Sequence, residues 1–408
     1  MWSFEAVNLL LGLVAIVTVT TTVGSMFALF WATRRKKLAT VDLPPISVFK
    51  PLRGLDEELE QNLRSFFLID YPRYELLFCV ADADDPAIAV VEALRREFPD
   101  RDATLIAGCP HYGLNPKVRN LAAMERIRKY DVILVSDSNV RVRPSYLRET
   151  AAYLDSPKVG LVSNIFVGVG EESAGAVMEN LELNGFIAGG VAAAGLVGAT
   201  CVVGKSMLIP SAVLRAIGGF AAVRNVLAED QVIGIRVQQA GYQIKLSHHV
   251  IENVNRERSF RWFLNRHSRW YKIRRRVAPL AFAIEPAANP AAVGVVWAFS
   301  GESGIAWGGL LLLVGMGMAR DALQTRWLRG SFPRMRDLLL SPAKDLLLLP
   351  VWFDAIVNRR INWRGHRFLV GRMTRLRSSR ATRQLRRRVR RVHRLRNQPG
   401  DRPPTPEA

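Results

Sequence analysis

Cysteine is almost absent: Cys79, Cys109 and Cys201 are the only three in 408 residues. No Cys-x-x-Cys pair and no metal-ligand spacing occurs, so the sequence offers neither a disulfide framework nor a zinc site, and a reducing compartment is compatible. Acidic residues are also scarce, with Asp+Glu 36 against Lys+Arg 57 and a net charge of +21. They vanish between Arg359 and Arg396, where sixteen arginines occur without one Asp or Glu. A hydrophobic fraction of 49% beside that charge points to anionic lipid headgroups or nucleic acid as partners. The arginines come after the last hydrophobic stretch, which reads as a juxtamembrane anchor rather than a nucleic-acid site. The glycine of a phosphate loop is missing, since Ala199 stands five residues before Gly204-Lys205-Ser206, and an ordinary P-loop ATPase is rejected. Asp82-Ala83-Asp84-Asp85 likewise lacks the glycine and terminal glutamate of an EF-hand. No internal repeat is present.

Apolar sequence in long runs is abundant. From about Ala6 to Trp31 the chain is nearly free of charge and ends at Arg34-Arg35-Lys36-Lys37. A cleavable signal peptide carries its charge in front and a shorter core, so this run reads as an uncleaved transmembrane helix with a basic stop, residues 1–37. The basic cluster places the domain C-terminal to it in the cytoplasm. Leu280 to Ser300 and Gly304 to Ala319 read as a transmembrane hairpin within 278–320, flanked by Lys272, Arg274, Arg275 and Arg276 on one side and Arg320, Arg326 and Arg329 on the other. Leu338 to Val357, with Lys344, Asp345, Asp354, Pro342 and Pro350, reads as an interfacial segment over 336–358, before an Arg-rich tail over 359–408, disordered at its end.

Between these runs, residues 41–257 alternate short β-branched stretches with helical ones. Strands are predicted at Ile46 to Phe49, Tyr74 to Ala81, Ala103 to Ala107, Asp131 to Ser136 and Val159 to Phe166. Helices are predicted near Glu57 to Phe67, Pro86 to Phe98, Pro116 to Lys129 and Pro144 to Leu154. That order implies βαβ units, a Rossmann-like and mostly parallel sheet embedded between transmembrane helices. Ligands bind such sheets beyond the carboxyl ends of the strands, where Asp82 and Asp137 fall.

Several short motifs there can carry chemistry, each beside a plainer reading. Asp82, Asp84 and Asp85 repel one another unless a positive or hydrogen-bonding group lies near, yet a helix-capping turn before Pro86 explains them as well. Asp137-Ser138-Asn139 could hold a hard divalent cation together with diphosphate oxygens, or be an Asx turn. Gly113 to Lys117 opens a helix at Pro116, leaving backbone N–H groups and Lys117 to face an anion, or merely caps that helix. Glu229-Asp230 starts a helix whose dipole favours a carboxylate, suited to capping or to proton abstraction. Residues 258–277 form a basic amphipathic stretch with an Arg-x-x-Arg-Trp box at Arg266, Arg269 and Trp270, which alone says interfacial helix.

Together, Phe49-Lys50-Pro51-Leu52-Arg53-Gly54, the Phe78 to Pro86 run, Asn115-Pro116-Lys117, Asp137-Ser138, Ala228-Glu229-Asp230 and the Arg-x-x-Arg-Trp box resemble the ceramide glucosyltransferase family, glycosyltransferase family 21, and its bacterial relatives. The resemblance, running from about Pro45 to Trp270, implies a GT-A fold and inverting transfer from a UDP-sugar, UDP-glucose first, to a lipid hydroxyl such as that of ceramide. It assigns Asp82 and Asp84 to the donor with Lys117, Asp137 to the diphosphate and a Mg²⁺ or Mn²⁺ ion, Asp230 to the general base, and Arg266, Arg269 and Trp270 to the diphosphate and acceptor. The protein so implied is integral to a membrane, the inner one in a bacterium, and binds anionic lipids and no nucleic acid. Two departures stand out: Asp-Ser-Asn lacks a second aspartate, and the Gly/Ala-rich stretch from Glu179 to Val203 does not match the eukaryotic enzymes. A hopanoid N-acetylglucosaminyltransferase and a non-catalytic scaffold with a lipid- or RNA-binding tail are the alternatives. Intact Asp82, Asp137 and Asp230 disfavour the scaffold.

Overall fold

A computed structural model describes residues 4–34, 43–301, 303–363 and 366–378. The basic cluster at 35–37, Glu302 in the predicted hairpin turn and the arginines beyond 378 lie outside the described residues.

Helix α1 (Phe4–Thr33) precedes an α/β domain in which strands and helices alternate: β1 (Ile46–Leu52), α2 (Leu59–Phe67), β2 (Tyr74–Val80), α3 (Ala87–Glu97), β3 (Ala103–Ala107), α4 (Pro116–Ile127) and β4 (Val132–Val135). Next come β5 (Val140–Arg141), α5 (Tyr146–Ala151), β6 (Val159–Val169), α6 (Ala174–Glu182), a π-helical turn (Leu183–Ile187) and α7 (Ala188–Leu196). The domain continues through β7 (Met207–Pro210), α8 (Ser211–Ala216), α9 (Glu229–Gln239), β8 (Gln243–Val254) and α10 (Phe260–Val277). The eight strands form one sheet in the order β3-β2-β1-β4-β7-β6-β8-β5. Strands β3, β2, β1 and β4 are mutually parallel, as are β6 and β8, whereas β7 runs antiparallel to both its neighbours. This mixed, mostly parallel α/β sheet is the GT-A arrangement, with ligand space at the carboxyl ends of β1, β2 and β4.

Period-two alternation explains the two cores. On β2, Leu76, Phe78 and Val80 pack with α2, α3 and α5 on one face, while Leu77 and Cys79 pack with α4 and α9 on the other. Each fully buried Leu or Phe there contributes about 1.5–3 kcal/mol by leaving water. The same pairing makes β1 a doubly buried strand, in which Lys50 is 0% exposed and must have a polar destination.

Beyond α10 lie α11 (Pro279–Ile284), a 3₁₀ turn (Glu285–Ala288), α12 (Pro290–Gly301), α13 (Gly304–Arg329), α14 (Met335–Leu338) and α15 (Leu340–Val357). Among the described residues, α1 and α13 are long and apolar enough to cross a membrane, and the pair Pro279–Ala288 and Pro290–Gly301, bent by 60°, makes up to three spans if counted as one. Helix α13 runs 26 residues, well past the predicted end at Ala319. Its basic residues are not free flanking charges: Arg320 pairs with Asp321 at 2.8 Å, and Arg329 with Glu171 at 2.6 Å, docking the helix on β6. Finally β9 (Arg360–Trp363), β10 (His366–Val370) and β11 (Leu376–Ser378) form an antiparallel three-stranded sheet. The first part of the arginine-rich stretch is thus folded, with Ile361, Phe368, Val370 and Leu376 buried against Leu227.

Candidate active site

Two helices start side by side beneath the carboxyl end of β4. Asn115 caps α4 by accepting from the Lys117 and Val118 N–H groups at 2.9 and 3.2 Å, and its amide donates to Val226 O at 2.7 Å and Glu229 Oε2 at 3.0 Å. One side chain therefore fixes the α4 terminus to the α9 terminus. Those α4 N–H groups are consequently spent on Asn115 and are not free for an anion, and the Lys117 ammonium meets Asp137, Glu229 and the Gly204 carbonyl. Gly113, at φ +80, lets the preceding turn approach Arg224, whose carbonyl would lie 2.5 Å from an added Cβ.

Around Asp137 three ammoniums converge. Lys117 Nζ stands 2.8 Å from Asp137 Oδ1 and 3.0 Å from Glu229 Oε1, and Lys205 Nζ stands 3.1 Å from Asp137 Oδ2. Lys50 Nζ donates to the Asp137 carbonyl at 2.5 Å, which is the polar destination its strand required. Burial alone raises the pKa of the Asp137 carboxyl, but Lys117 and Lys205 outweigh it and hold the group well below the usual carboxylate range. Burial pushes Lys50 and Lys205 down, whereas Asp137, Glu229 and Asp230 overcome burial and hold Lys117 above its ordinary value. The Asp137 side chain keeps 27% exposure, so this mixed cluster of lysines and carboxylates is open to solvent at Asp137.

Asp230 lies across Lys117. Its Oδ2 accepts from Gly204 N at 2.6 Å and its Oδ1 from Gln231 N at 2.8 Å, while Lys117 Nζ donates to Gly204 O at 3.2 Å. A Cβ at 204 would lie 2.8 Å from Lys117 Nζ and 2.9 Å from Asp230 Oδ2 and so would displace these two side-chain ends. Burial and the adjacent Glu229 push the Asp230 carboxyl up to about 6, with Lys117 opposing. A carboxylate near neutrality is suited to taking a proton.

Arg266 stands between the rings of Trp262 and Trp270, 5.1 and 4.7 Å from their centroids. Its Nε lies 3.0 Å from Glu179 Oε1, and His267 Nε2 lies 3.0 Å from Glu179 Oε2. Arg266 is among the charges felt by Lys205, which links the box to the lysine cluster. Arg269 is half-buried on the same helix. Rather than lying free along a membrane surface, α10 packs against α6 and α15, with Lys272 2.8 Å from Asp354.

The structure thus brings Lys117, Asp137 and Asp230 together and seats Arg266 separately on Glu179. Asp82 and Asp84 are exposed on the loop after β2, outside that cluster, and the buried member of the triplet is Asp85, which accepts from Gly54 N and Ala87 N at 2.9 Å. Lys50 and Lys205, to which no role was assigned from the sequence, belong to the cluster with Glu229, the neighbour of Asp230 weighed for capping or proton abstraction, while Glu179, likewise unassigned, holds Arg266 and His267. A lysine centred in an apolar strand was the available signal for Lys50, and the rejected Gly204-Lys205-Ser206 motif held Lys205. The expected cation fits poorly. Among the described residues no group of three or more His, Cys, Asp and Glu side chains could hold a metal ion. Both Asp137 oxygens are held by ammoniums, and Ser138 and Asn139 bond to Asp56 and Lys205.

A cluster of lysines and carboxylates at the strand ends of a GT-A sheet, joined to helices long and apolar enough to cross a membrane, defines the class as a membrane-associated glycosyltransferase. The chain belongs to glycosyl transferase family 21, which matches residues 7–376. Ceramide glucosyltransferase 3 of Caenorhabditis elegans is 34% identical over 260 residues, covering 63% of this chain and 56% of that protein. Ceramide glucosyltransferase 1 of the same organism is 30% identical over 258 residues, covering 63% and 55%. The chain spans about half the length of these curated relatives. Among solved structures, mannosyltransferase PcManGT from Pyrobaculum calidifontis, in complex with GDP-Man and Mn²⁺, aligns with a TM-score of 0.48 at 15% identity, covering 85% of this chain and 99% of that one.

Proposed function

We propose that the chain transfers a sugar, glucose from UDP-glucose first, to the hydroxyl of a lipid such as ceramide, with inversion at the anomeric carbon. The observation that carries this reading is Asp230: a carboxyl pushed up to about 6, held by two backbone N–H groups beside a lysine cluster that is open to solvent at Asp137. The acceptor hydroxyl gives its proton to Asp230 as its oxygen attacks the anomeric carbon. The bond from that carbon to the diphosphate breaks, and UDP leaves with the electron pair. Lys117 and Lys205, with Arg266 behind them, meet the developing negative charge, and Lys50 fixes the Asp137 backbone between them. Because the donor set around Asp137 does not form a cation site, no step is assigned to a metal. Asp82 and Asp84 serve the uridine end, and Arg269 and Trp270 close over the diphosphate and acceptor.

The basic residues around α1 and α10 support an integral membrane protein with this domain facing the cytoplasm, and the arginines beyond 378 support contact with anionic lipid. Purified chain in lipid nanodiscs, given UDP-glucose and ceramide, should release UDP and form glucosylceramide detectable by mass spectrometry. UDP-glucose turnover without any glycolipid, across ceramide and hopanoid acceptors, would defeat the reading.

A further inference from the structure

We propose that a recess between α6, α10, the 3₁₀ turn, α13 and α15 binds the polar head of the acceptor lipid, an inference that rests on the sugar-to-lipid reading above. The recess is lined by Glu182, Tyr271, Glu285, Arg320, Asp345 and Trp352. It has about 350 Å³ of atom-free space including its open side, and its enclosed part, about 20 Å³, holds one water-sized group.

Most charges around it are mutually satisfied: Lys344 Nζ lies 3.0 Å from Glu182, 3.2 Å from Asp321 and 2.5 Å from Asp345. Two pairs are not closed. Arg274 Nη2 and Glu285 Oε1 stand 2.8 Å apart but out of alignment, so that neither atom, nor Arg274 Nε, makes a hydrogen bond. Arg320 Nη2, 3.6 Å from Asp345 Oδ2, makes none either. Glu285 is 8% exposed and Arg320 2% exposed, so neither has water in quantity to complete it. Of these residues Glu285 and Arg320 line the recess, bringing to it one acceptor and one donor that are buried and incompletely bonded.

The ligand that completes them offers both a hydrogen-bond donor and an acceptor, as a hydroxyl beside an amide does. Glu182, Glu285 and Asp345 make the recess unsuited to a phosphate head. Leu280 at 75% exposure and Ile284 at 57% precede Glu285 on its own helix, and Phe353 at 56% adjoins Trp352. These apolar side chains form a lipid-facing flank, so a hydrocarbon tail stays in the bilayer while its head enters sideways. Tyr271, which lines the recess, directly follows Trp270 of the Arg-x-x-Arg-Trp box on α10.

The test uses the full chain in nanodiscs with UDP-glucose and a fluorescent ceramide, and with an analogue whose amide is replaced by an ester. Glu285→Gln and Tyr271→Phe should raise the ceramide KM by about tenfold while UDP affinity and the UDP-glucose KM stay within about twofold. The penalty should shrink for the ester analogue. An unchanged ceramide KM in both variants overturns the proposal alone, as does a parallel loss of UDP binding, which marks a purely structural cluster. Failure of the unsubstituted chain to bind ceramide overturns it too. Failure of that chain to bind UDP overturns the transferase reading first.

Discussion

Replacing Asp230 by Asn separates catalysis from architecture at one position. The carboxylate accepts two backbone N–H groups, Gly204 N at 2.6 Å and Gln231 N at 2.8 Å. An amide keeps one acceptor oxygen and turns its NH₂ toward the other donor, which costs about 1–3 kcal/mol of stability. That lowers Tm by some degrees without dispersing Lys117, Asp137 and Lys205, whose ion pairs do not involve Asp230. Loss of a positioned base, by contrast, lowers kcat by about 10²–10⁴-fold, or roughly 3–5 kcal/mol of transition-state stabilisation. The pH profile gives an independent signature. Burial and Glu229 push Asp230 up to about 6, and the base must be ionised, so kcat/KM of the unsubstituted chain should fall as pH drops through about 6. That limb should be missing from the Asn variant's residual activity. The assay is acceptor-dependent UDP release from pH 4.5 to 9 with UDP affinity measured in parallel. A variant with kcat within about tenfold of the original, or one that keeps the limb, would refute the assignment.

Three further outcomes are expected. With lysines rather than acids around Asp137, excess chelator should leave UDP affinity within about threefold; an affinity that collapses in chelator and returns with Mn²⁺ defeats that reasoning. Truncation after Gly371 removes Thr374, whose carbonyl and hydroxyl accept from Leu227 N at 3.0 Å and Ala228 N at 3.3 Å, and should lower activity even on neutral vesicles while the protein stays in the membrane. Truncation after Ser378 should alter activity on anionic vesicles only, and equal effects of the two cuts would count against a seating role for Thr374. Asp82→Ala should raise the UDP-glucose KM by about tenfold at nearly constant kcat, and an unchanged KM removes Asp82 from the donor site.

The parallel half of the sheet was legible because βαβ alternation writes itself in hydrophobic period: β2, β3 and α4 lie within a few residues of the predicted spans. The antiparallel strand β7 was not. It has four residues, ends at Pro210 and comes after a Gly-Lys-Ser triplet, so local pattern gave it no strand signature, and only pairing with β4 and β6 makes it one. Strand β8 was missed for a related reason: its polar residues Ser247, His248, His249 and Asn253 are buried through hydrogen bonds that a hydropathy pattern cannot anticipate. At the site, Asp137 and Asp230 could be read from their positions at element ends. Glu179 could not, because its partners Arg266 and His267 are nearly ninety residues away. The Gly/Ala-rich stretch that does not match the eukaryotic enzymes holds a π-helical turn whose Gly185 lets α13 approach, since an added Cβ there would collide with Asp321 Oδ1.

The contact of Thr374 with Leu227 and Ala228 sets an order of events during synthesis. Helix α9 and its base are translated well before α12, α13 and α15, yet the backbone just ahead of that helix acquires its acceptors only when residues 374–376 have emerged and β11 has folded back. A nascent chain whose membrane helices are still being inserted therefore still lacks the contacts that seat the start of α9.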